Sequence, residues 1–193
     1  MEYRLGAPLS REAAESLRAG DVVYLSGVFI VARDKAHARM DEYFHEHKKL
    51  PFDLERAVIF HGAPIVKQEG GAWKIVAVGP TTSSRMDAVE PGVIAHGIGA
   101  IVGKGGMGPK VLEALRDHGA VYLSMTGGTA VLGARMVKKV LSLAWEDLGM
   151  AEAVWLLEVE DFGPLTVTMD SHGCDLYEAV RHKVSENIKG MRL

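Results

Sequence analysis

The chain has 193 residues, of which 48% are hydrophobic and 22 are glycine, and this composition fits one globular α/β domain spanning residues 1–193. The formal net charge is −3 without any Lys/Arg-rich run, which argues against a nucleic-acid partner because such binding needs a concentrated basic face. No apolar run approaches a membrane span, the N-terminus is too polar for a signal peptide, and Cys174 is the single cysteine. We therefore expect a cytoplasmic protein without an internal disulfide.

The first half of the chain predicts two helices and several strands. Ser10 is a plausible N-cap for the first helix, and Gly27 divides a β-rich segment into a strand pair or a bent strand. The predicted elements are a helix after Ser10, strand structure over 21–31, a helix over 34–49 ended by Leu50-Pro51, and strands at 57–60 and 73–78 joined by a Gly70-Gly71 turn.

The second half alternates short apolar runs with helical patterns. Apolar runs at 93–95, 100–102, 120–125 and 153–160 read as strands, and helices fit at 109–117 and 130–148. A strand at 165–169, a turn at His172-Gly173 and a helix from about Asp175 complete the chain. The alternation predicts an α/β sandwich with some parallel pairing, and the hairpin-like region 57–78 predicts a second, antiparallel sheet.

Three cations lie on short loops that follow predicted strands. Gly79-Pro-Thr-Thr-Ser-Ser-Arg-Met86 holds Arg85, Gly103-Lys-Gly-Gly106 holds Lys104, and Arg33 ends an apolar strand. Small and hydroxyl residues let the backbone approach a ligand closely, and an arginine fork can grip a carboxylate with two parallel bonds. The pattern favours a pocket for a small dianion.

Each motif also has an ordinary structural interpretation. The Thr/Ser run could cap a helix that carries Arg85 on its surface, and Asp34 could be a helix-start carboxylate beside solvated cations. The run from Gly103 to Gly108 matches the dinucleotide pattern G-x-G-x-x-G, but the next strand leads into Thr126-Gly127-Gly128 without a carboxylate for a ribose. The eight histidines look scattered, so we expect no metal site, and no G-x-S-x-G elbow supports a serine nucleophile.

Taken in order, the motifs resemble one enzyme family. The resemblance rests on Ala32-Arg-Asp-Lys-Ala-His37, His61-Gly-Ala-Pro64, Gly79–Met86, Gly103-Lys-Gly-Gly-Met107 and Glu158-Val-Glu-Asp-Phe162. This set resembles the β subunit of class I, iron–sulfur fumarate hydratases and its near relative, the β subunit of L-tartrate dehydratase, over roughly residues 2–180. One departure is the segment 165–174, which is more polar than the family's usual apolar strand and Asp-Lys-Gly turn.

The resemblance implies a swivelling β/β/α domain, with mixed sheets and flanking helices, that pairs with a separate α subunit in an α2β2 assembly. The α subunit would carry a [4Fe–4S] cluster on three cysteines, and the lack of cysteine ligands here agrees with that division. Carried over, Arg33, Arg85 and Lys104 would bind the carboxylates of a C4 dicarboxylate, and Thr81 would be the proton-abstracting base. The α subunit would supply the acid.

The sequence therefore predicts the β subunit of a hydro-lyase that hydrates fumarate reversibly to L-malate and is active only with its α subunit. L-Tartrate dehydration is the alternative within the same family, because the cations read only carboxylates. A non-catalytic anion-binding module that keeps the fold without a partner is the alternative from another class.

Overall fold

The computed structural model describes residues 1–191, which form a mixed α/β arrangement as the sequence predicts. The strands are β1 (Glu2–Ala7), β2 (Val22–Ala32), β3 (Val58–Glu69), β4 (Ala72–Pro80), β5 (Ala100–Gly103), β6 (Val121–Ser124), β7 (Val137–Ala144) and β8 (Val154–Met169). The α-helices are α1 (Arg11–Ser16), α2 (Asp34–His45), α3 (Glu90–Ala95), α4 (Pro109–His118), α5 (Ala130–Met136) and α6 (Leu176–Gly190). Short 3-10 helices occupy Ser83–Met86 and Glu146–Leu148.

The strands pair into a ring. Parallel pairing runs from β1 to β2, from β2 to β3, from β3 to β5 and from β5 to β6. The long strand β8 pairs antiparallel with β6 at one end and with β2 along most of its length, which closes the ring, while β7 adds to its remaining edge. The second half of β3 leaves this sheet and forms an antiparallel hairpin with β4.

Alternation of side chains along the strands creates two apolar layers. Phe29, Phe60 and Phe162 lie inside the ring, with ring centroids 5.0 to 6.4 Å apart in edge-to-face contact. Residues of opposite parity, such as Ile30 and Ile59, face outward and are covered by α2, α3 and α4. The ring therefore has its own core and a helix-covered outer face, and its strand ends remain available for a site.

Several predicted elements are confirmed in modified form. Ser10 caps α1 by accepting a hydrogen bond from the Ala13 N–H. The segment around Gly27 is one bent strand, in which Gly27 has φ 132° and lies so close to the Ala7 carbonyl that a Cβ would overlap it. The hairpin turn at Gly70-Gly71 is present, with longer strands on both sides.

Four predictions of element type or length are wrong. Helix α2 ends at His45 rather than at 49. Residues 93–95 belong to α3, whose start contains Pro91, rather than to a strand. The helix predicted over 130–148 stops at Met136, because the following residues pair with β8 as β7. The strands predicted at 153–160 and 165–169 are one strand, β8. None of the helices within residues 1–191 is long and apolar enough to cross a membrane.

Candidate functional site

The predicted cations gather where neighbouring parallel strands end. Arg33 directly follows β2, and Lys104 directly follows β5. Strand β3 lies between those two strands, with His61 paired to Ala32 at the same level. Thr81 follows β4, and its N–H donates to the His61 carbonyl at 2.7 Å. Ligand sites of α/β proteins commonly lie at the carboxyl ends of strands, so this edge is the candidate site.

Asp34 joins two of the predicted carboxylate-binding arginines. Arg85 donates from Nε and Nη2 to the two Asp34 oxygens at 2.7 and 2.8 Å, and Arg33 Nε donates to Oδ2 at 3.1 Å. The Arg85 hydrogen bonds, assisted by Arg33, lower the pKa of Asp34 to about 2 against the opposing effect of burial. Glu152 Oε1 lies 3.1 Å from Arg33 Nε and helps to hold it.

The arginines keep unused donors after these contacts are made. Within residues 1–191, neither the terminal nitrogens of Arg33 nor Nη1 of Arg85 have a protein acceptor. The Arg33 and Arg85 side chains remain 25% and 43% exposed. Asp34 thus fixes two guanidinium groups by one edge and leaves other N–H groups for a ligand carboxylate.

Thr81 lies in direct contact with Arg85. The Arg85 Nη2 donates to the Thr81 Oγ1 at 2.7 Å. An N–H that donates to this oxygen stabilises negative charge on it, so the contact lowers the free-energy cost of deprotonating the hydroxyl. The structure therefore brings Thr81, Arg85, Asp34 and Arg33 together in one partly exposed group.

Lys104 belongs to the same edge but is held differently. Its backbone pairs with Thr82 in a parallel bridge and accepts a hydrogen bond from the Ser83 N–H at 3.2 Å. Its side chain passes beside Gly127, and within residues 1–191 no carboxylate lies within ion-pair distance of its Nζ. A Cβ at Gly103 would overlap the Ser83 hydroxyl, which explains why the loop needs glycine there.

A fully buried polar cluster, which the sequence analysis missed, lies beneath this edge. Glu90 Oε2 is 3.2 Å from both His37 Nε2 and His61 Nε2, and all three side chains have no exposed surface. The two contacts do not meet the geometry of hydrogen bonds. The interpretation of these histidines as scattered is wrong, since ligand-type atoms of the three residues lie within 4.8 Å of one another.

Charge within the cluster is distributed unequally. Burial opposes ionisation of Glu90, but the two nearby histidines outweigh that effect and lower the pKa of its carboxyl group. Burial likewise opposes charge on His37, yet Glu90 and the Arg33 carbonyl raise its pKa. For His61 burial prevails and the pKa is lowered. These pKa directions agree with an ionised Glu90 that lies between one protonated imidazole, His37, and one neutral imidazole, His61.

The predicted site residues occupy an open edge rather than a cavity. A groove of about 970 Å³ lies at the far end of α2, where Phe44 stacks on His96 with ring centroids 3.5 Å apart. It contains none of Arg33, Thr81, Arg85 or Lys104. A small dianion bound by these residues would therefore stay open to solvent unless another surface covered it.

Sequence comparison places this chain in a known family. A family model described as Fumarase C-terminus matches residues 2–180. The chain belongs to the Fumarase C-terminus family. The resemblance inferred from its motifs is thereby confirmed over nearly the whole chain.

Relatives of this Fumarase C-terminus member carry names of two kinds. The "Putative L(+)-tartrate dehydratase subunit beta" of Methanocaldococcus jannaschii is 47% identical over 190 residues, covering 97% of each chain. The L(+)-tartrate dehydratase subunit beta of Escherichia coli K12 is 40% identical over 177 residues, covering 91% of this chain and 87% of the relative. The "Putative fumarate hydratase class I" of Geobacillus stearothermophilus is 39% identical over 186 residues, covering 95% of this chain but 35% of that longer protein. The relatives are thus named as hydro-lyases or their subunits.

Proposed function

We propose that this chain is the β subunit of a class I hydro-lyase that hydrates fumarate reversibly to L-malate together with an α subunit. The observation that carries the proposal is the Arg33–Asp34–Arg85 group with Thr81 against it. Two guanidinium groups held by one edge, with free N–H groups outward, suit a substrate that carries a carboxylate at each end. Membership of the family and the names of the relatives support the same conclusion.

In this proposal the cations bind and Thr81 moves a proton. Arg33, Arg85 and Lys104 fix the two carboxylates of L-malate, which orients the C3–H bond toward Thr81 Oγ1. Thr81, as its alkoxide, takes that proton and becomes a neutral hydroxyl, the C2–C3 double bond forms, and the hydroxyl on C2 leaves as water with a proton from an acid of the α subunit. A threonine hydroxyl is a weak base, so the 2.7 Å hydrogen bond from Arg85 is needed to stabilise its alkoxide.

The [4Fe–4S] cluster is assigned to the α subunit. An iron–sulfur cluster of this type needs several thiolates, and this chain has only Cys174, which is exposed. The residues of this chain therefore do not fit the cluster, and they account only for binding the dicarboxylate and holding the proton.

Exposed apolar side chains support a partner subunit. Val180, Val184 and Ile188 form a stripe at i, i+4, i+8 along α6, and each is 49% to 63% exposed. A run of this kind on a polar surface favours burial against another protein. The open position of the cations favours the same arrangement, because a partner would cover the substrate. The assembly expected from the family is α2β2, in the cytoplasm.

L-Tartrate dehydration is the second candidate, and the names of the 40–47% identical relatives favour it. The same four residues would bind tartrate through its carboxylates. The extra hydroxyl of tartrate would have to be recognised by other groups, because Arg33, Arg85 and Lys104 offer the same donors to both substrates.

The test is co-expression with an α subunit that carries three cysteines, followed by assays without oxygen on L-malate and L-tartrate. We expect the pair to dehydrate at least one of them and the isolated chain to be colourless and inactive after iron–sulfur reconstitution. A brown isolated chain with hydratase activity would overturn the two-subunit proposal. A pair inactive on both substrates would overturn the hydro-lyase proposal and favour the anion-binding module.

A further inference from the structure

The buried cluster contacts the loops of Arg33 and Arg85 directly and is linked to the Lys104 loop through Ser83. His37 Nδ1 lies 3.0 Å from the Arg33 carbonyl, and His61 Nδ1 lies 3.0 Å from Ser83 Oγ, between Thr81 and Arg85. The Ser83 N–H donates to the Lys104 carbonyl, and the Thr81 N–H donates to the carbonyl of His61 itself. The polar chain therefore runs from Arg33 through His37, Glu90, His61 and Ser83 to Lys104.

The acceptors in this chain determine where the protons lie. A carbonyl oxygen can only accept, so the His37 Nδ1 that faces Arg33 must carry a proton. Its Nε2 faces the Glu90 carboxylate at 3.2 Å, and that contact is attractive only if Nε2 is protonated too. His37 is then an imidazolium, which compensates the charge of Glu90.

His61 faces a group that can donate. Tyr122 donates its hydroxyl to Ser83 Oγ at 2.9 Å, which leaves the Ser83 hydroxyl hydrogen for His61 Nδ1. His61 is then neutral and carries its proton on Nε2, toward Glu90. One carboxylate, one imidazolium and one neutral imidazole give zero net charge, which suits complete burial.

We propose that His37, Glu90 and His61 are positioning residues, forming a buried neutral bridge that holds the Arg33, Thr81–Arg85 and Lys104 loops in the arrangement that binds the dicarboxylate. This inference rests on the proposed function for its catalytic consequence. The bridge restrains the three loops, because its chain of contacts reaches the residues beside each cation. A small displacement of any loop would misplace a carboxylate donor, and such displacements are costly for catalysis.

The alternative interpretation is that these three side chains bind a divalent metal ion. Metal binding would require both Nε2 atoms to be unprotonated. With Glu90 ionised, a divalent ion would also leave one positive charge in a fully buried place. The proton arrangement distinguishes the two cases directly.

Nitrogen-15 NMR of the imidazole rings in the full chain, at about pH 8 where an ordinary histidine is neutral, tests the bridge itself. We expect His37 to show two protonated ring nitrogens and His61 to be neutral with its proton on Nε2. Glu90→Gln should convert His37 to a neutral ring. Two neutral rings in the unaltered chain, or a metal ion that co-purifies in equal amount, would overturn the bridge.

Ser83→Ala tests positioning, because it removes the side-chain contact between His61 and the Thr81–Arg85 loop and leaves His37, Glu90, His61 and the backbone hydrogen bonds in place. Ser171→Ala is the matched control, since Ser171 is also buried and its hydroxyl has no hydrogen-bond partner within residues 1–191. In the isolated chain, Ser83→Ala should shift the amide signals of Arg33, Thr81 and Lys104 together, whereas the control should leave them unchanged. Unchanged signals in Ser83→Ala would overturn the bridge without any reference to activity.

In the complex with the α subunit, we expect Ser83→Ala to raise KM for the dicarboxylate about tenfold, with a smaller fall in kcat. A merely structural role predicts a lower melting temperature and fewer active molecules but an unchanged KM, and that result would overturn positioning. If the unaltered complex is inactive on both dicarboxylates, the proposed function fails, while the NMR signals still decide whether the bridge holds the loops.

Discussion

Two carboxylates in this molecule each lie between two basic side chains, one at the edge of the ring and one inside it. Asp34 lies between Arg33 and Arg85, whose side chains are 25% and 43% exposed. Glu90 lies between His37 and His61, and all three of these side chains are fully buried. At the edge, guanidinium N–H groups remain for a ligand. Inside, the charges lie within the group, so the same pattern leaves donors free for a ligand in one place and encloses its charges in the other.

The largest expected effect tests whether the exposed Asp34 group belongs to a catalytic site, which requires Thr81 beside it to act in the reaction. Thr81→Ala should lower kcat of the complex by about 10²–10⁴-fold with little change in KM, because the hydroxyl acts mainly in the transition state. Thr81→Ser should retain measurable activity. Steady-state kinetics on L-malate measure both variants, and a change confined to KM for Thr81→Ala would remove Thr81 from the catalytic role.

The buried carboxylate should matter for folding more than any residue of the edge group. Glu90→Ala leaves the His37 imidazolium without its counter-charge, and we expect the free energy of unfolding to fall by about 3–5 kcal/mol. Urea denaturation of the isolated chain measures it. Glu90→Gln, which keeps the shape and can hydrogen-bond two neutral rings, should lose less. Equal losses in the two variants would mean that the charge of Glu90 is unimportant.

Arg85→Lys separates charge from geometry at the edge. Lysine keeps the positive charge but cannot form the paired contact with Asp34. The kcat/KM of the complex should therefore fall by an amount that corresponds to about 1–3 kcal/mol of activation free energy. The melting temperature should barely change, in contrast to Glu90→Ala. Arg39→Lys is the control, because Arg39 makes a similar paired contact with Asp147 and is not one of the predicted site residues. Near-normal kinetics for Arg85→Lys would show that Arg85 is a surface residue without a role in binding the substrate.

The smallest expected effect is the pH dependence of the Asp34 group. The folded pKa of Asp34 is about 2, below its usual 3.8, so its ion pairs stabilise the fold above about pH 4 and are lost as the pH falls through 2. Asp34→Asn should therefore be less stable than the unaltered chain at neutral pH, by less than about 2 kcal/mol because the group is partly exposed. The difference should shrink below about pH 4 and vanish once the pH falls below 2. A constant difference across this range would show that ionisation of Asp34 contributes nothing.

The sequence predicted the edge better than the interior for a physical reason. The four predicted site residues lie in short glycine- or hydroxyl-rich loops after apolar runs, and such loops often carry binding residues. They are Arg33, Thr81, Arg85 and Lys104. Their roles at the site stay predictions. Glu90 gives no such signal, because a glutamate before a proline resembles an exposed helix start. His37 and His61 were visible only as members of the motifs that carry the resemblance, and nothing in the sequence showed that they meet at Glu90.

Two of the four element errors, those at β7 and β8, share one cause, which is pairing with distant strands. Residues 137–144 continue a helical pattern from 130, yet β8 offers them an open edge and they become β7. Gly163-Pro164 lies between the two strands predicted at 153–160 and 165–169, but β8 passes through it because β2 pairs on both sides. Local propensity is weaker than such tertiary contacts.

The pairing of β2 with β8 also affects when the protein can fold. Residues 22–31 find their antiparallel partners only at residues 155–166. On the ribosome, β2 must wait until most of the chain has been synthesised before that edge is covered. Contacts of such long sequence separation slow folding and leave apolar strand edges exposed meanwhile. Early engagement of a chaperone by the nascent chain is therefore the expected consequence of closing the ring with its last strand.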